Sequence, residues 1–207
     1  VEQRAAEQFG GKATLSLTDQ LVDGKLVVQQ GIIAGCAGGM YDNIAEAAAI
    51  LSGGDVGCGP FSLSVYPPSI PVNLELMQNG VQQALLEAGV LFKPCFCGPC
   101  FGAGDVPANN ALSVRHTTRN FPNREGSKPG DGQLSGVLLM DARSIAATAR
   151  NHGVVTSAAE VDYPAPAPVR RTFDGGVYGR RVYFGYGKAR PEAPLHYGPN
   201  IAEWPAI

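Results

Sequence analysis

Residues 25–51 read KLVVQQGIIAGCAGGMYDNIAEAAAIL, and this stretch decides the fold. Residues 25–34 are short and β-branched, which predicts a strand. The glycine-rich run Gly35-Cys36-Ala37-Gly38-Gly39 then forces a turn. Tyr41–Leu51 follows, rich in alanine with apolar residues at helical spacing, and Gly53-Gly54 ends it. A strand, a turn and a helix in that order set Cys36 at the carboxyl end of a strand, where open α/β sheets bind ligands.

The same alternation extends along the chain. Residues 61–66 (FSLSVY) predict a strand that Pro67-Pro68 breaks, and residues 72–88 predict one continuous helix in which Gly80 is a tolerated weak point. Gly89 closes that helix, and residues 90–92 form a brief strand that feeds into Cys95-Phe96-Cys97-Gly98-Pro99-Cys100. Leu112–His116 is a further strand, followed by a polar loop over residues 117–133. Residues 137–140 and 144–151 make a last strand and helix, with Asp141 as the cap and Gly153 as the stop. This pattern predicts an α/β fold in three layers, a mostly parallel sheet flanked by helices.

The flanks read differently. Residues 1–24 form a lead-in segment, with a short helix over Glu2–Gln8, a break at Gly10-Gly11 and turn chemistry at Asp23-Gly24. The α/β domain takes residues 25–160, and residues 161–207 are an extended proline- and glycine-rich linker with a hairpin expected around 177–184. The chain starts at Val1 without a methionine, which suggests a piece of a longer polypeptide.

Composition excludes several functions. A net charge of -2, with 16 Lys and Arg among 207 residues, argues against a general nucleic-acid or anionic-membrane surface. No apolar run approaches the roughly 20 residues that cross a bilayer, so a soluble, cytoplasmic protein is expected. Five cysteines are an odd number in a chain too long to need disulfide staples, which favours free thiols or thiolate ligands. Cys97-Gly98-Pro99-Cys100 alone does not choose among zinc, iron–sulfur and dithiol chemistry.

Three motifs together are more specific. Gly35-Cys36 before a helix with Tyr41-Asp42, Cys97-Gly98-Pro99-Cys100 placed 61 positions after Cys36, and Thr118-Arg119-Asn120-Phe121-Pro122-Asn123-Arg124 resemble the third domain of the aconitase family of iron–sulfur hydro-lyases. The resemblance covers roughly residues 25–155. It implies that Cys36, Cys97 and Cys100 each ligate one iron of a [4Fe–4S] cluster, leaving the fourth iron as a Lewis acid toward a hydroxyl and a carboxylate. It further implies that Arg119 and Arg124 bind the carboxylates of a citrate-like tricarboxylic or related hydroxy acid. Tyr197-Gly198-Pro199-Asn200-Ile201 is similar to the entry to the family's fourth, swivelling domain. The remaining domains of the polypeptide, which carry the family's serine base and its His/Asp proton-handling groups, are the implied partners, so the piece alone is expected to be inactive.

The chain departs from the family at several points. Ala37-Gly38 follow the first cysteine where the family has Thr-Asn, so a polar contact beside the cluster is expected to be missing. Thr118 stands where the family has Asn, and Cys95 adds a thiol. Two alternatives stay open: a zinc module in which Cys95 completes a tetrahedral set with the other three, and a cluster-less interaction module on the same fold. Cys58 reads as a structural thiol, His116 as the holder of a local hydrogen bond, Lys128 as solvent-facing, and Arg115 and Arg143 as ordinary charges.

Overall fold

The computed structural model describes residues 2–8, 16–120, 132–166, 168, 169, 171, 173–194, 196, 198 and 199. After the short helix α1 (Glu2–Gln8) come two brief strands, β1 (Leu21–Val22) and β2 (Lys25–Leu26), paired antiparallel. Asp23 and Gly24 both adopt positive φ, 52° and 74°, in the turn between them. The strand expected over 25–34 is therefore two strands. The backbone at Val28 and Gln29 turns to donate to Gly153 and Leu112, at 2.8 and 3.0 Å, before β3 (Gln30–Ile33) begins.

Next come the single-turn helix α2 (Gly35–Gly38), helix α3 (Tyr41–Leu51) and strand β4 (Ser62–Val65). The continuous helix expected over 72–88 is broken into α4 (Ile70–Gln78) and α5 (Val81–Glu87). Gly80 causes the break: it takes φ 72°, a left-handed conformation that no helix interior contains, and serves as the cap of α5. Strands β5 (Leu91–Phe92), β6 (Leu112–His116) and β7 (Gly136–Leu139) follow, then helix α6 (Ala142–Arg150). The Asp141 side chain caps α6 by accepting from the backbone of Arg143 and Ser144.

The α/β expectation holds. β3 to β7 form a five-stranded sheet of order β5-β4-β3-β6-β7 in which every neighbouring pair is parallel. The chain runs from β3 outward to one edge, then returns to the centre and runs outward to the other, so a topological switch point lies between β3 and β6. Alternation along the strands separates two faces. Ile33, Leu63, Val65, Leu112 and Val114 join Ile44, Ile50, Leu85 and Ile145 of the helices in the main apolar core. Gln30, Ile32, Ser64, Tyr66, Ser113 and Arg115 carry the other phase, where Ile32, Ala34 and Tyr66 form a small separate cluster.

The described residues divide into two compact units, one up to Asp174 and one from Gly175 onward. Within the first, Arg171 returns to the helices: its Nη1 lies 3.1 Å from the Asp42 carboxylate, its Nε 3.7 Å from Glu75, and its guanidinium 4.5 Å from the centre of the Tyr41 ring. The second unit has no hairpin at 177–184. Helix α7 (Gly176–Gly179) occupies part of that stretch, and the Val182 amide donates to the Tyr178 carbonyl at 2.9 Å, so successive local turns take up the backbone groups that cross-strand pairs would have used. No helix among the described residues is long and apolar enough to cross a membrane.

Candidate functional site

Two of the sequence motifs meet at the switch point. Cys36 lies in α2, directly after the central strand β3, and Thr118 and Arg119 lie directly after β6. The Ala34 amide donates to the His116 carbonyl at 3.0 Å, which closes the ends of the two strands on each other. The turn can approach so closely only because position 38 lacks a side chain, since a Cβ on Gly38 would overlap the His116 carbonyl. The glycines around Cys36 thus allow the sulfur to sit on the edge of the sheet rather than beyond it.

The cysteine turn reaches the same place from β5. It forms a single 3-10 turn over Gly98–Cys100, and a Cβ built on Gly35 would stand 3.3 Å from Cys100 Sγ and 3.2 Å from Thr118 Oγ1. Cys100 is buried, whereas Cys36 and Cys97 are exposed. Partial burial, a hydrogen bond with Cys100 and the charges of Cys100 and Cys36 all push the Cys97 thiol up, while Arg119 pulls it the other way. The three sulfurs named by the sequence therefore share one environment, and Arg119 is part of it.

The donor set suits the cofactor implied by the resemblance. Three thiols from two separate segments converge on one sheet edge with a guanidinium beside them, and a thiol becomes a ligand by releasing its proton. Among the described residues no three His, Cys, Asp or Glu side chains form a ready ligand set for a single ion. None of the five cysteines forms a disulfide.

Several expectations need correction. Ala37 and Gly38 offer Cys36 no polar side chain, but Thr118 Oγ1 lies 3.1 Å from Cys36 Sγ and accepts from the Ala37 amide at 3.0 Å. His116 does not hold a local hydrogen bond through Nδ1, which is buried without a partner among the described residues. Cys58 is exposed rather than packed, and it precedes β4, so it lies at the opposite edge of the parallel sheet from the other cysteines. There it lines a cavity of about 610 Å³ with Asp55, Glu87 and His152. Arg143 is an exposed surface charge as expected, 3.3 Å from Asp141 and 3.5 Å from Glu46, whereas Arg115, read the same way, is buried. Arg124, Lys128 and most of the 197–201 motif lie outside the described residues.

Comparison with known proteins gives a consistent picture. Residues 2–147 match the aconitase family (aconitate hydratase). The 3-isopropylmalate dehydratase large subunit of Nitratidesulfovibrio vulgaris (strain DP4) is 32% identical over 125 residues, covering 58% of this chain and 29% of the relative. Large subunit 1 of the same enzyme from Methanopyrus kandleri is 33% identical over 121 residues, with the same two coverages. Large subunit 2 from Pyrococcus furiosus is 34% identical over 113 residues, covering 52% of this chain and 28% of the relative. The chain thus spans less than a third of the length of these relatives.

Proposed function

Because this chain belongs to the aconitase family, we propose that it is the cluster-bearing part of a hydro-lyase that removes water from, and returns it to, a small hydroxy acid of the citrate or isopropylmalate type. Cys36, Cys97 and Cys100 would hold a [4Fe–4S] cluster. When bound, the cluster supplies an iron without a protein ligand that acts as a Lewis acid toward the leaving hydroxyl.

The chain's own residues do the rest of what this segment contributes. Arg119, and Arg124 in the same motif, bind substrate carboxylates, for which a guanidinium fork is well matched. Thr118 orients Cys36 through its hydroxyl and also fixes the Ala37 amide. Residues 161–207 act as a linker toward a swivelling domain, and the remaining domains of the polypeptide supply the proton-transferring groups.

The observation that carries this reading is the shared environment of Cys97, Cys100, Cys36 and Arg119 at the switch point of the sheet. Iron and acid-labile sulfide, measured after anaerobic reconstitution, test it. The expected result is about four of each per chain, lost in Cys36→Ser, Cys97→Ser and Cys100→Ser and kept in Cys58→Ser and Cys95→Ser. Stoichiometric zinc that depends on Cys95, or a chain that takes up no iron while its thiols titrate freely, would overturn it. For the whole polypeptide, the matching assay is dehydration of 3-isopropylmalate and citrate, abolished in Arg119→Gln.

A further inference from the structure

Arg115 is 2% exposed, the largest of the fully buried side chains. It lies on β6 in the phase opposite to Leu112 and Val114, so it enters the face of the sheet that the main core does not use. Burying a guanidinium is costly unless its donors are matched, and three groups among the described residues accept from it. Nε donates to Ser113 Oγ at 2.9 Å, Nη2 to Gln30 Oε1 at 3.2 Å, and Nη1 to the Pro99 carbonyl at 3.2 Å. Ser113 Oγ also donates to Gln30 Oε1 at 2.7 Å, which locks the two acceptors to each other.

Pro99 is the middle of the cysteine turn. The carbonyl of Cys97 accepts from the Cys100 amide, and that of Gly98 from the amides of Phe101 and Ala103, so the turn uses both for itself. The Pro99 carbonyl is directed to the sheet instead, and Arg115 receives it. The far end of the same loop is held separately, where Tyr66 donates to Asp105 at 2.6 Å and Lys93 stands 3.4 Å from the same carboxylate.

We infer that Arg115 is a positioning residue that seats the Cys97–Cys100 turn on the sheet, through the Pro99 carbonyl, before any cofactor arrives. Its consequence for a cluster rests on the function proposed above, but the seating itself does not. A turn held only by its own hydrogen bonds would swing its two sulfurs relative to Cys36, which belongs to a different strand. With the guanidinium fork in place, Cys100 stays buried at 4% exposure beside Gly35.

The test uses the metal-free chain. Native-state alkylation with iodoacetamide, read cysteine by cysteine by peptide mass spectrometry, should show Cys100 labelled about tenfold faster in Arg115→Met, the scale of losing a hydrogen bond to a charged group. Cys58, at the other edge, should label at its original rate. Val114→Ala weakens the opposite face of the same strand without touching the turn and should leave Cys100 protected. Wild-type protection of Cys100 in Arg115→Met, or equal exposure in Val114→Ala, overturns the inference. Should Arg115→Met not fold, Arg115→Gln asks the same question with a neutral side chain too short to reach Pro99, under the same two outcomes. In the reconstituted chain, Arg115→Met should also lose iron to a chelator roughly tenfold faster, as is common when the groups behind a metal ligand are removed. A wild-type chain that takes up no iron would count against the cluster and leave the labelling result standing.

Discussion

The two faces of the sheet are built on opposite principles. One is closed by α3, α5 and α6 over the apolar strand residues Ile33, Leu63, Val65, Leu112 and Val114, with Ile145 of α6 packed among them. The other sets Gln30, Ser64, Ser113, Arg115 and Tyr66 beneath the loop that carries the cysteines. The first face gains stability from area removed from water. The second gives part of that gain up, because hydrogen bonds replaced on folding return little net free energy, and obtains a fixed loop in exchange. The same five strands therefore hold the fold together on one side and a set of sulfurs in place on the other.

That contrast breaks first, and most strongly, on the apolar side. Ile145→Ala should cost about 3 kcal/mol, since Ile145 is fully buried and the helix it belongs to cannot collapse into the gap. Urea or thermal unfolding measures the loss, while Cys100 in the folded fraction should keep its resistance to alkylation. A smaller effect is expected on the polar side from Tyr66→Phe, which removes the donor to Asp105 and leaves that carboxylate with Lys93. The expected cost is about 1–2 kcal/mol. Here faster labelling of the cysteine loop should exceed what the change in unfolding midpoint accounts for, and labelling that tracks global stability alone would erase the distinction between the faces.

The smallest effect sharpens the comparison by standing outside both faces. Burial by itself would raise the Asp141 carboxyl, but hydrogen bonds from Ser144 and then from Arg143 outweigh it and hold the group below its ordinary value. A depressed carboxylate stabilises the fold fully above its unfolded value, near pH 4, and that contribution is lost as pH falls through the lower folded value. Asp141→Ala should therefore cost about 1 kcal/mol at neutral pH. The difference in melting temperature from wild type should narrow as acidification carries Asp141 through its lowered folded value, and a difference that does not shrink at all in acid would contradict the assignment.

The sequence made the apolar face legible and the polar face much less so. Strand periodicity located Leu112–His116 with its observed limits, and the cap at Asp141 followed from a residue type with one well-defined role. The three cysteines and Arg119 were singled out through the family resemblance, and the parallel pairing of β3 with β6 explains why Cys36 and the Thr118-Arg119 motif, distant in sequence, lie side by side. Gly80 was misread because the flanking residues keep helical spacing across it, and only the backbone angle reveals the break. Arg115 carried one available signal, its place two residues after Ser113 in a strand whose other phase is apolar. An arginine at an inward position looks like an ordinary charge until the group it holds, a carbonyl sixteen positions earlier, is brought over it. The partners of Thr118 were hidden for the same reason, since they belong to a turn 81 and 82 positions away.

The order β5-β4-β3-β6-β7 also bears on when the proposed cofactor could be acquired. An unfolded polypeptide would have to close a loop of some sixty residues to gather sulfur 36 with sulfurs 97 and 100, an entropic cost that no single coordinate bond is present to offset at the outset. Even the grip of β6 on the later pair becomes available only once residue 115 has been synthesised and paired. Under the function proposed above, iron delivery would be a late event in biogenesis: a nascent chain interrupted before β6 would offer an assembly machine scattered thiols, and the finished sheet would offer it a receptacle.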